Sequence, residues 1–145
     1  MNGETLAAYR ATRYRVFAPI PIDMRIGETS AAMAALLAQH GAGTAVFVTA
    51  FNPFSRRLCD DDNAARQRRL KAHLARLGLA TIEGAGIDPT GQWPSEESVL
   101  ALGADRAAAD ELTVKFEQNA VVFVEGDGGA RLLLHPRLRD STGET

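Results

Sequence analysis

The run TAVFVTAF (residues 44–51) decides the fold, because it lacks the regular polar–apolar alternation of a half-exposed strand. Such a run, rich in β-branched and aromatic residues, is typical of a strand that is covered on both faces. The segment DDDNAARQRRLKAHLARLG (residues 60–78) follows, with aspartates at its start and a glycine at its end, as helices have. A doubly covered strand followed by a helix indicates a sheet with helices packed on it.

Helical and extended segments alternate on both sides of this pair. Helices are predicted over residues 5–13, 27–41 and 104–119, and extended segments over residues 14–22, 80–94 and 97–103. Two prolines in the first extended segment indicate an edge position in the sheet. AVVFVEG (residues 120–126) and ARLLLHP (residues 130–136) are joined by Asp-Gly-Gly, which is a strong β-hairpin signal.

This order of elements predicts a single domain. We expect an α/β (or α+β) sandwich over residues 1–138, built on a mixed sheet. The sheet ends in the C-terminal antiparallel hairpin and is flanked by three to four helices. Residues 139–145 are expected to form a frayed C-terminal tail.

Composition restricts the location of the protein and its class of partner. The chain has 145 residues and a net charge of −2, which argues against a nucleic-acid-binding surface because such surfaces are basic. No apolar run approaches the ~20 residues of a membrane span, and the first residues lack the apolar core of a signal peptide. The single cysteine, Cys59, excludes an internal disulfide. We therefore expect a cytoplasmic protein of open oligomeric state.

The inward face of the helix over residues 60–78 carries polar side chains near its start. On a helical wheel Leu70 marks the face that packs on the sheet, and Asn63, Arg66 and Gln67 lie within about 60° of it. Burying such groups without partners costs about 1–3 kcal/mol each. They therefore either bond one another and the loop that follows residue 51, or line a wet pocket. Ligand crevices in open α/β sheets lie at the carboxyl ends of strands, which favours the pocket.

A second polar segment, EGAGIDPTGQWPSEES (residues 83–98), offers carboxylates and the one tryptophan. A carboxylate here can act as a general acid or base, and no spacing singles out one of the four: Glu83, Asp88, Glu96 and Glu97. Asp88 also suits a turn, and Trp93 can stack on a planar ligand or, as we favour, pack under the loop. The three histidines are scattered, so no metal site is predicted.

Two further polar residues end the helix over residues 104–119. Asn119 suits the left-handed position that follows a helix, whereas Gln118 lacks such a structural reason and can reach a site. The aspartates at residues 60–62 are interpreted as a helix cap rather than as ligands of a hydrated Mg²⁺.

Four strings carry a resemblance that extends over nearly the whole chain. They are AYRATRYRV (residues 8–16), TAFNPFSRRL…DNAARQRRLKAHL (residues 49–74), GAGIDPTGQWPSEESVLALG (residues 84–103) and FEQNAVVF (residues 116–123). Together they resemble the bacterial family catalogued as domain of unknown function 3293. In that family's pattern a glycine stands at the position of Glu117.

The resemblance implies the position of a site and no established activity. The matching residues are Thr49, Asn52, Pro53, Ser55, Asn63, Arg66, Gly86, Asp88, Trp93, Glu97, Gln118 and Asn119. We therefore expect ligand-binding roles for Thr49, Asn52, Ser55, Asn63, Arg66, Trp93, Gln118 and Asn119. The catalytic candidates are Asp88 and Glu97.

Two functional hypotheses follow from these residues. The first is a pocket that binds a small anionic metabolite or a nucleotide, held by Arg66, with hydrolase or transferase chemistry left open and no cofactor indicated. The second is a non-catalytic module that binds a protein or a regulatory ligand, as immunity and adaptor proteins do. An exposed apolar patch on the edge of the final hairpin would favour the second hypothesis.

Overall fold

The computed structural model of the chain describes residues 1–142, which form one seven-stranded sheet and five α-helices. The helices are α1 (Gly3–Ala11), α2 (Ala31–Gln39), α3 (Asp60–Arg76), α4 (Arg106–Lys115) and α5 (Pro136–Thr142). The strands are β1 (Arg13–Val16), β2 (Ile22–Met24), β3 (Thr44–Val48), β4 (Thr81–Ile87), β5 (Glu96–Leu102), β6 (Ala120–Glu125) and β7 (Ala130–Leu134). The predicted α/β class is confirmed, and so is the C-terminal hairpin of β6 and β7. Within the described chain no helix is long and apolar enough to cross a membrane.

Every strand pairing in residues 1–142 is antiparallel, which corrects the expectation of a mixed sheet in this detail. The strand order is β2-β1-β4-β5-β3-β6-β7. The crossover from β3 through α3 to β4 joins two strands of the same direction, and β5 lies between them in the opposite direction. The crossover from β5 through α4 to β6 encloses β3 in the same way. Each crossover therefore passes over one strand that belongs to the other crossover, and strands of the same direction are never adjacent in the sheet.

β3 is buried on both faces, as its sequence predicts. Val46 and Val48 belong to one face of the core, which the buried leucines of α3 and α4 cover. Ala45 and Phe47 belong to the other face, which α2 covers with its buried methionine and leucines. The protein is therefore a sandwich of three layers, with helices on both sides of the sheet.

The two terminal segments differ in extent from the prediction. The single extended segment predicted over residues 14–22 is divided between two paired strands. Pro19 and Pro21 lie in the connection between β1 and β2. Proline cannot donate to a strand ladder, so these residues fall outside it. β2 is at the sheet edge, whereas β1 lies inside against β4. At the other terminus α5 includes residues 139–142 and residues 143–145 lie outside the described chain, so the frayed tail stays a prediction.

Candidate functional site

One end of the sheet gathers most of the predicted site residues. β3 and β4 end there, β5 and β6 begin there, α3 starts beside it and α4 finishes beside it. We call this region the sheet end, and it comprises residues 49–55, residues 116–119 and Glu96. Hydrogen bonds join these segments, although they are far apart in the chain.

The loop after β3 has a strained backbone. Asn52, Phe54 and Ser55 have positive φ angles of 49°, 49° and 63°. Residues other than glycine cost about 1–3 kcal/mol each in this left-handed region, and they persist there only where surrounding contacts hold them. Here the Phe54 amide donates to the Glu117 carbonyl (2.6 Å), and the Asn119 side chain donates to Ser55 Oγ (2.8 Å). Strain of this kind concentrates at functional sites, which makes the loop a structural indication of one.

Asn52 and Asn63 hydrogen-bond to each other. The Asn52 amide donates to Asn63 Oδ1 (2.9 Å), and Asn63 Nδ2 donates to Asn52 Oδ1 (2.9 Å). The Leu58 amide also donates to Asn52 Oδ1 (3.0 Å). These two asparagines therefore bond each other and the loop, which is the first of the two alternatives given for the inward polar face of α3. They attach the strained loop to the start of α3.

Two buried glutamines hold the backbone at the end of β3. The Ala50 amide donates to Gln67 Oε1 (2.9 Å), and Gln118 Nε2 donates to the Phe51 carbonyl (3.1 Å). Gln67 is 2% exposed and Gln118 is 5% exposed. Within the described residues Gln67 Nε2 has no hydrogen-bond partner, which costs about 1–3 kcal/mol.

Arg66 joins the end of β3 to the end of α4. Its Nε donates to the Ala50 carbonyl (2.7 Å), and its Nη2 donates to the Phe116 carbonyl (2.5 Å). Its Nη1 lies 3.3 Å from Glu117 Oε1, and the arginine side chain is only 13% exposed. The guanidinium thus bonds protein carbonyls where the sequence led us to expect a ligand.

The chain leaves α4 through a left-handed residue, Glu117, with φ of 56°. Glycine adopts this conformation readily, and a glycine stands at this position in the pattern of the family that the sequence resembles. The left-handed residue was expected at Asn119. The structure places it two positions earlier, because α4 already ends at Lys115 with Phe116 as its C-cap.

The two polar segments meet at Glu96. Asn52 Nδ2 donates to Glu96 Oε2 (2.7 Å). Burial raises the pKa of the Glu96 carboxyl, and the hydrogen bond from Asn52 lowers it in part. Tyr9 of α1 lies near the same place, because Glu96, Ser55 and Asn119 all influence the pKa of its hydroxyl. Burial and then the charge of Glu96 raise the pKa of Tyr9 to about 12.

Neither Tyr9 nor Glu96 was predicted to have a special role. Glu96 appeared as one of four equivalent carboxylates, and Tyr9 only as a letter in the string AYRATRYRV. Its place in that string is the one signal that pointed to Tyr9, because a tyrosine on a short helix is otherwise unremarkable.

Asp88 and Trp93 form an exposed turn. The Asp88 carboxylate accepts hydrogen bonds from the amides of Thr90 (2.9 Å), Gln92 (3.1 Å) and Trp93 (3.1 Å). The bonds from Thr90 are the main reason that the pKa of Asp88 is lowered. A carboxylate with a lowered pKa is a weak general base at neutral pH. Trp93 is 64% exposed, so it does not pack under the loop.

Glu97 contributes its backbone to the sheet end and directs its side chain to α3. Its carbonyl accepts a hydrogen bond from Thr49 Oγ1 (2.7 Å), and its carboxylate lies 2.9 Å from Lys71 Nζ. Within residues 1–142 neither the Glu97 nor the Asp88 carboxylate hydrogen-bonds to a side chain of the sheet end. The catalytic roles of both stay predictions. The described chain also holds no group of three or more histidine, cysteine, aspartate or glutamate residues suited to a metal ion.

A basic groove of about 440 Å³ lies next to Arg66, between α3 and the end of α4. We call it the α3/α4 groove; its lining residues are Arg66, Arg69, Ala72, Arg76, Lys115, Phe116 and Glu117. Four of them are cations and one is an anion, which gives the lining a net charge of +3. Arg69, Arg76 and Lys115 are exposed and form no ion pair within the described residues. Lys115 was not predicted as a site residue, because this lysine lies on a different helix from the arginines.

Replacing Glu96 by glutamine is expected to stabilise the protein at pH 7 and to have little effect near pH 4. The folded state raises the pKa of Glu96, so its stabilising contribution is complete below its ordinary pKa and is lost as the pH rises through the folded pKa. Glutamine keeps an acceptor for Asn52 and removes this loss. Melting temperatures of both proteins at the two pH values measure the effect, with Glu97→Gln at the neighbouring exposed position as the control. A Glu96→Gln effect that is equal at both pH values would contradict this account.

Comparison with known proteins assigns the region of the site to one family. Residues 48–121 match the sequence model of the family described as Protein of unknown function (DUF3293). This range contains the strained loop, α3, β4, β5 and α4, and therefore all of the sheet end and all of the α3/α4 groove. None of the curated proteins and none of the solved structures in the comparison matches the chain.

Proposed function

The chain belongs to the family Protein of unknown function (DUF3293), and we propose that it binds a small polyanion, a nucleotide or another phosphorylated metabolite, in the α3/α4 groove. The observation that carries the proposal is the charge of the groove. Its lining has a net charge of +3 on a chain whose own net charge is −2. Like charges repel and cost stability unless an opposite charge compensates them, so a free cluster of this kind favours an anionic ligand.

The spacing of the cations suits a ligand with more than one anionic group. Arg69 and Arg76 are seven residues apart on α3, which is about 10 Å along the helix axis. Arginine binds phosphate and carboxylate through two parallel hydrogen bonds, and lysine adds a mobile point charge from the opposite wall. A volume of about 440 Å³ is also within the range of sites for small molecules.

The geometry favours binding over a chemical reaction. The one carboxylate of the groove, Glu117, is paired with Arg66, and Asp88 and Glu97 do not line the groove. A general acid or base must lie within hydrogen-bond reach of the reacting group. Ligand binding without turnover is also what a regulatory module would do, so the proposal joins the anionic ligand of the first hypothesis to the non-catalytic role of the second.

Calorimetric titration with adenosine mono-, di- and triphosphate and with pyrophosphate tests the proposal. Affinity should rise with the charge of the nucleotide and fall as the salt concentration is raised, because salt screens exposed charges. All four ligands should also raise the melting temperature, because a ligand that binds only the native state stabilises it. Among the three nucleotides, the rise should be largest for the triphosphate and smallest for the monophosphate. Absence of binding by all four, or an affinity that salt does not change, would refute the proposal.

Glu117→Gln is expected to tighten polyanion binding. The substitution removes the single negative charge of the groove and breaks the ion pair between Glu117 and Arg66. The change should strengthen binding by about 1 kcal/mol, which is about a fivefold gain in affinity. Glu125→Gln, which removes the same charge from an ion pair on β6, should leave the affinity unchanged. A gain in affinity is a useful signal because damage to the fold does not produce one. Equal affinities for Glu117→Gln and the wild type would count against a ligand in this groove.

A further inference from the structure

A second cavity lies where α3 ends and α4 starts, at the far end of both helices from the sheet end. Its volume is about 350 Å³, which is within the range of sites for small molecules. Most of its lining is apolar, and two carboxylates of α4 and its N-cap complete it. We call it the α4 pocket; the lining residues that matter below are Leu77, Leu79, Asp105, Ala107, Ala108 and Glu111.

The α4 pocket adjoins the α3/α4 groove. Arg76 lines the groove, and the next residue of the chain, Leu77, lines the pocket. A hydrogen bond between His73 Nε2 and Glu111 Oε1 (2.7 Å) joins the two helices at this level. The His73 ring packs on the ring of Phe116, which lines the groove, whereas Glu111 lines the pocket. A ligand that extends along α3 beyond Arg76 therefore meets the α4 pocket.

The two cavities have linings of opposite charge. The groove has a net charge of +3, whereas the described lining of the pocket has two carboxylates, Asp105 and Glu111, among otherwise uncharged residues. An anionic group is therefore repelled from the pocket, and an uncharged group with N–H donors suits it, because a carboxylate accepts several hydrogen bonds. Leu77 is 45% exposed and offers apolar surface that such a group can cover.

We propose that the α4 pocket binds the nucleoside of a nucleotide whose phosphates lie in the α3/α4 groove. The inference rests on the proposed polyanion site and narrows its ligand from any phosphorylated metabolite to a nucleotide. Arg69 and Leu77 are separated by about 12 Å along the axis of α3, a distance that an extended nucleoside triphosphate covers. The amino groups of a base supply the donors that suit Asp105 and Glu111, and its ring covers the apolar lining.

Calorimetric titration of the unmodified protein with adenosine triphosphate and with inorganic tripolyphosphate tests the inference. Tripolyphosphate carries more negative charge than the nucleotide, so a site that reads charge alone favours it. Contacts of the nucleoside with the α4 pocket reverse this order, and adenosine triphosphate should bind at least about tenfold more tightly. Equal or tighter binding of tripolyphosphate would overturn the inference and leave the polyanion site standing. Binding of neither ligand would refute both.

The Ala107→Trp variant locates the nucleoside. Ala107 is exposed and lines the α4 pocket, so the larger side chain occupies the cavity without entering the core. The affinity for adenosine triphosphate should fall at least about tenfold, while that for tripolyphosphate should stay within about twofold. Ala75→Trp is the matched control, because Ala75 is exposed on α3 and lines neither cavity. Equal affinities of the two variants for adenosine triphosphate would overturn the inference.

Amide chemical shifts of the unmodified protein supply an arm that needs no variant. Adenosine triphosphate should shift the amides of residues 77–79 and 103–108, which surround the α4 pocket, together with those near Arg69 and Lys115. Tripolyphosphate should shift only the amides of the groove. Identical sets of shifted amides for the two ligands would show that the nucleoside does not contact the α4 pocket and would overturn the inference.

Discussion

Arg66→Ala is expected to lower the free energy of unfolding by about 3 kcal/mol, which corresponds to a fall of about 10 °C in the melting temperature. The guanidinium donates to the carbonyls of Ala50 and Phe116, and its side chain is only 13% exposed. The substitution leaves both carbonyls without this donor at the point where β3 and α4 meet. Thermal and urea denaturation of the two proteins measure the loss.

Arg68→Ala is the matched control for Arg66→Ala. Arg68 is exposed on the opposite face of α3 and should change the free energy of unfolding by no more than about 0.5 kcal/mol. Arg66→Lys should lose about 2 kcal/mol, because one ammonium group cannot reproduce the planar fork that reaches both carbonyls. If Arg66→Ala were as stable as the wild type and had lost only ligand binding, Arg66 would be a ligand residue and the structural role would be wrong.

The double substitution Arg69→Glu and Arg76→Glu is expected to weaken binding of adenosine triphosphate about 100-fold, or by about 3 kcal/mol. Each substitution removes a charge-assisted hydrogen bond to the ligand and places a repelling carboxylate in the α3/α4 groove. Both side chains are exposed and form no ion pair within the described residues, so the fold should lose little stability. Calorimetric titration at an ionic strength of about 0.15 M measures the affinity.

The control for this pair is Arg57→Glu with Arg68→Glu, which changes the net charge of the chain by the same amount. Neither residue lines the groove, and both are exposed. Screening over the distance to the groove should limit their effect on affinity to about threefold. An equal loss in both double variants would mean that the ligand responds to the overall charge of the protein and that the groove has no specific role.

Helical periodicity explains why the inward polar face of α3 was predictable. Asn63 and Gln67 share a face with Leu70 at fixed angular spacing, and both are buried as expected. Their partners were not predictable in the same way. They are groups of residues 50–52, whose position depends on the pairing of β3 with its neighbours rather than on any local pattern.

Strand order is the level at which the sequence analysis was incomplete. A continuous apolar run is typical of a strand buried on both faces, and β3 is one, yet such a run does not give the direction of the neighbouring strands. The interlocked crossovers of α3 and α4 make the sheet antiparallel and bring residues 116–119 beside the loop after β3. Tyr9 and Lys115 were not predicted for the same reason, because each lies on an element distant in sequence from the rest of its site.

A titration of the ¹⁵N-labelled protein with adenosine triphosphate, followed by amide chemical shifts, tests the central claim most directly. The account predicts concentration-dependent shifts along the exposed face of α3 near Arg69 and Arg76 and at the end of α4 near Lys115. It predicts no shifts in the Asp88–Trp93 turn, which does not line the groove. Shifts confined to that turn, or no shifts at millimolar ligand, would contradict the assignment of the α3/α4 groove as the binding site.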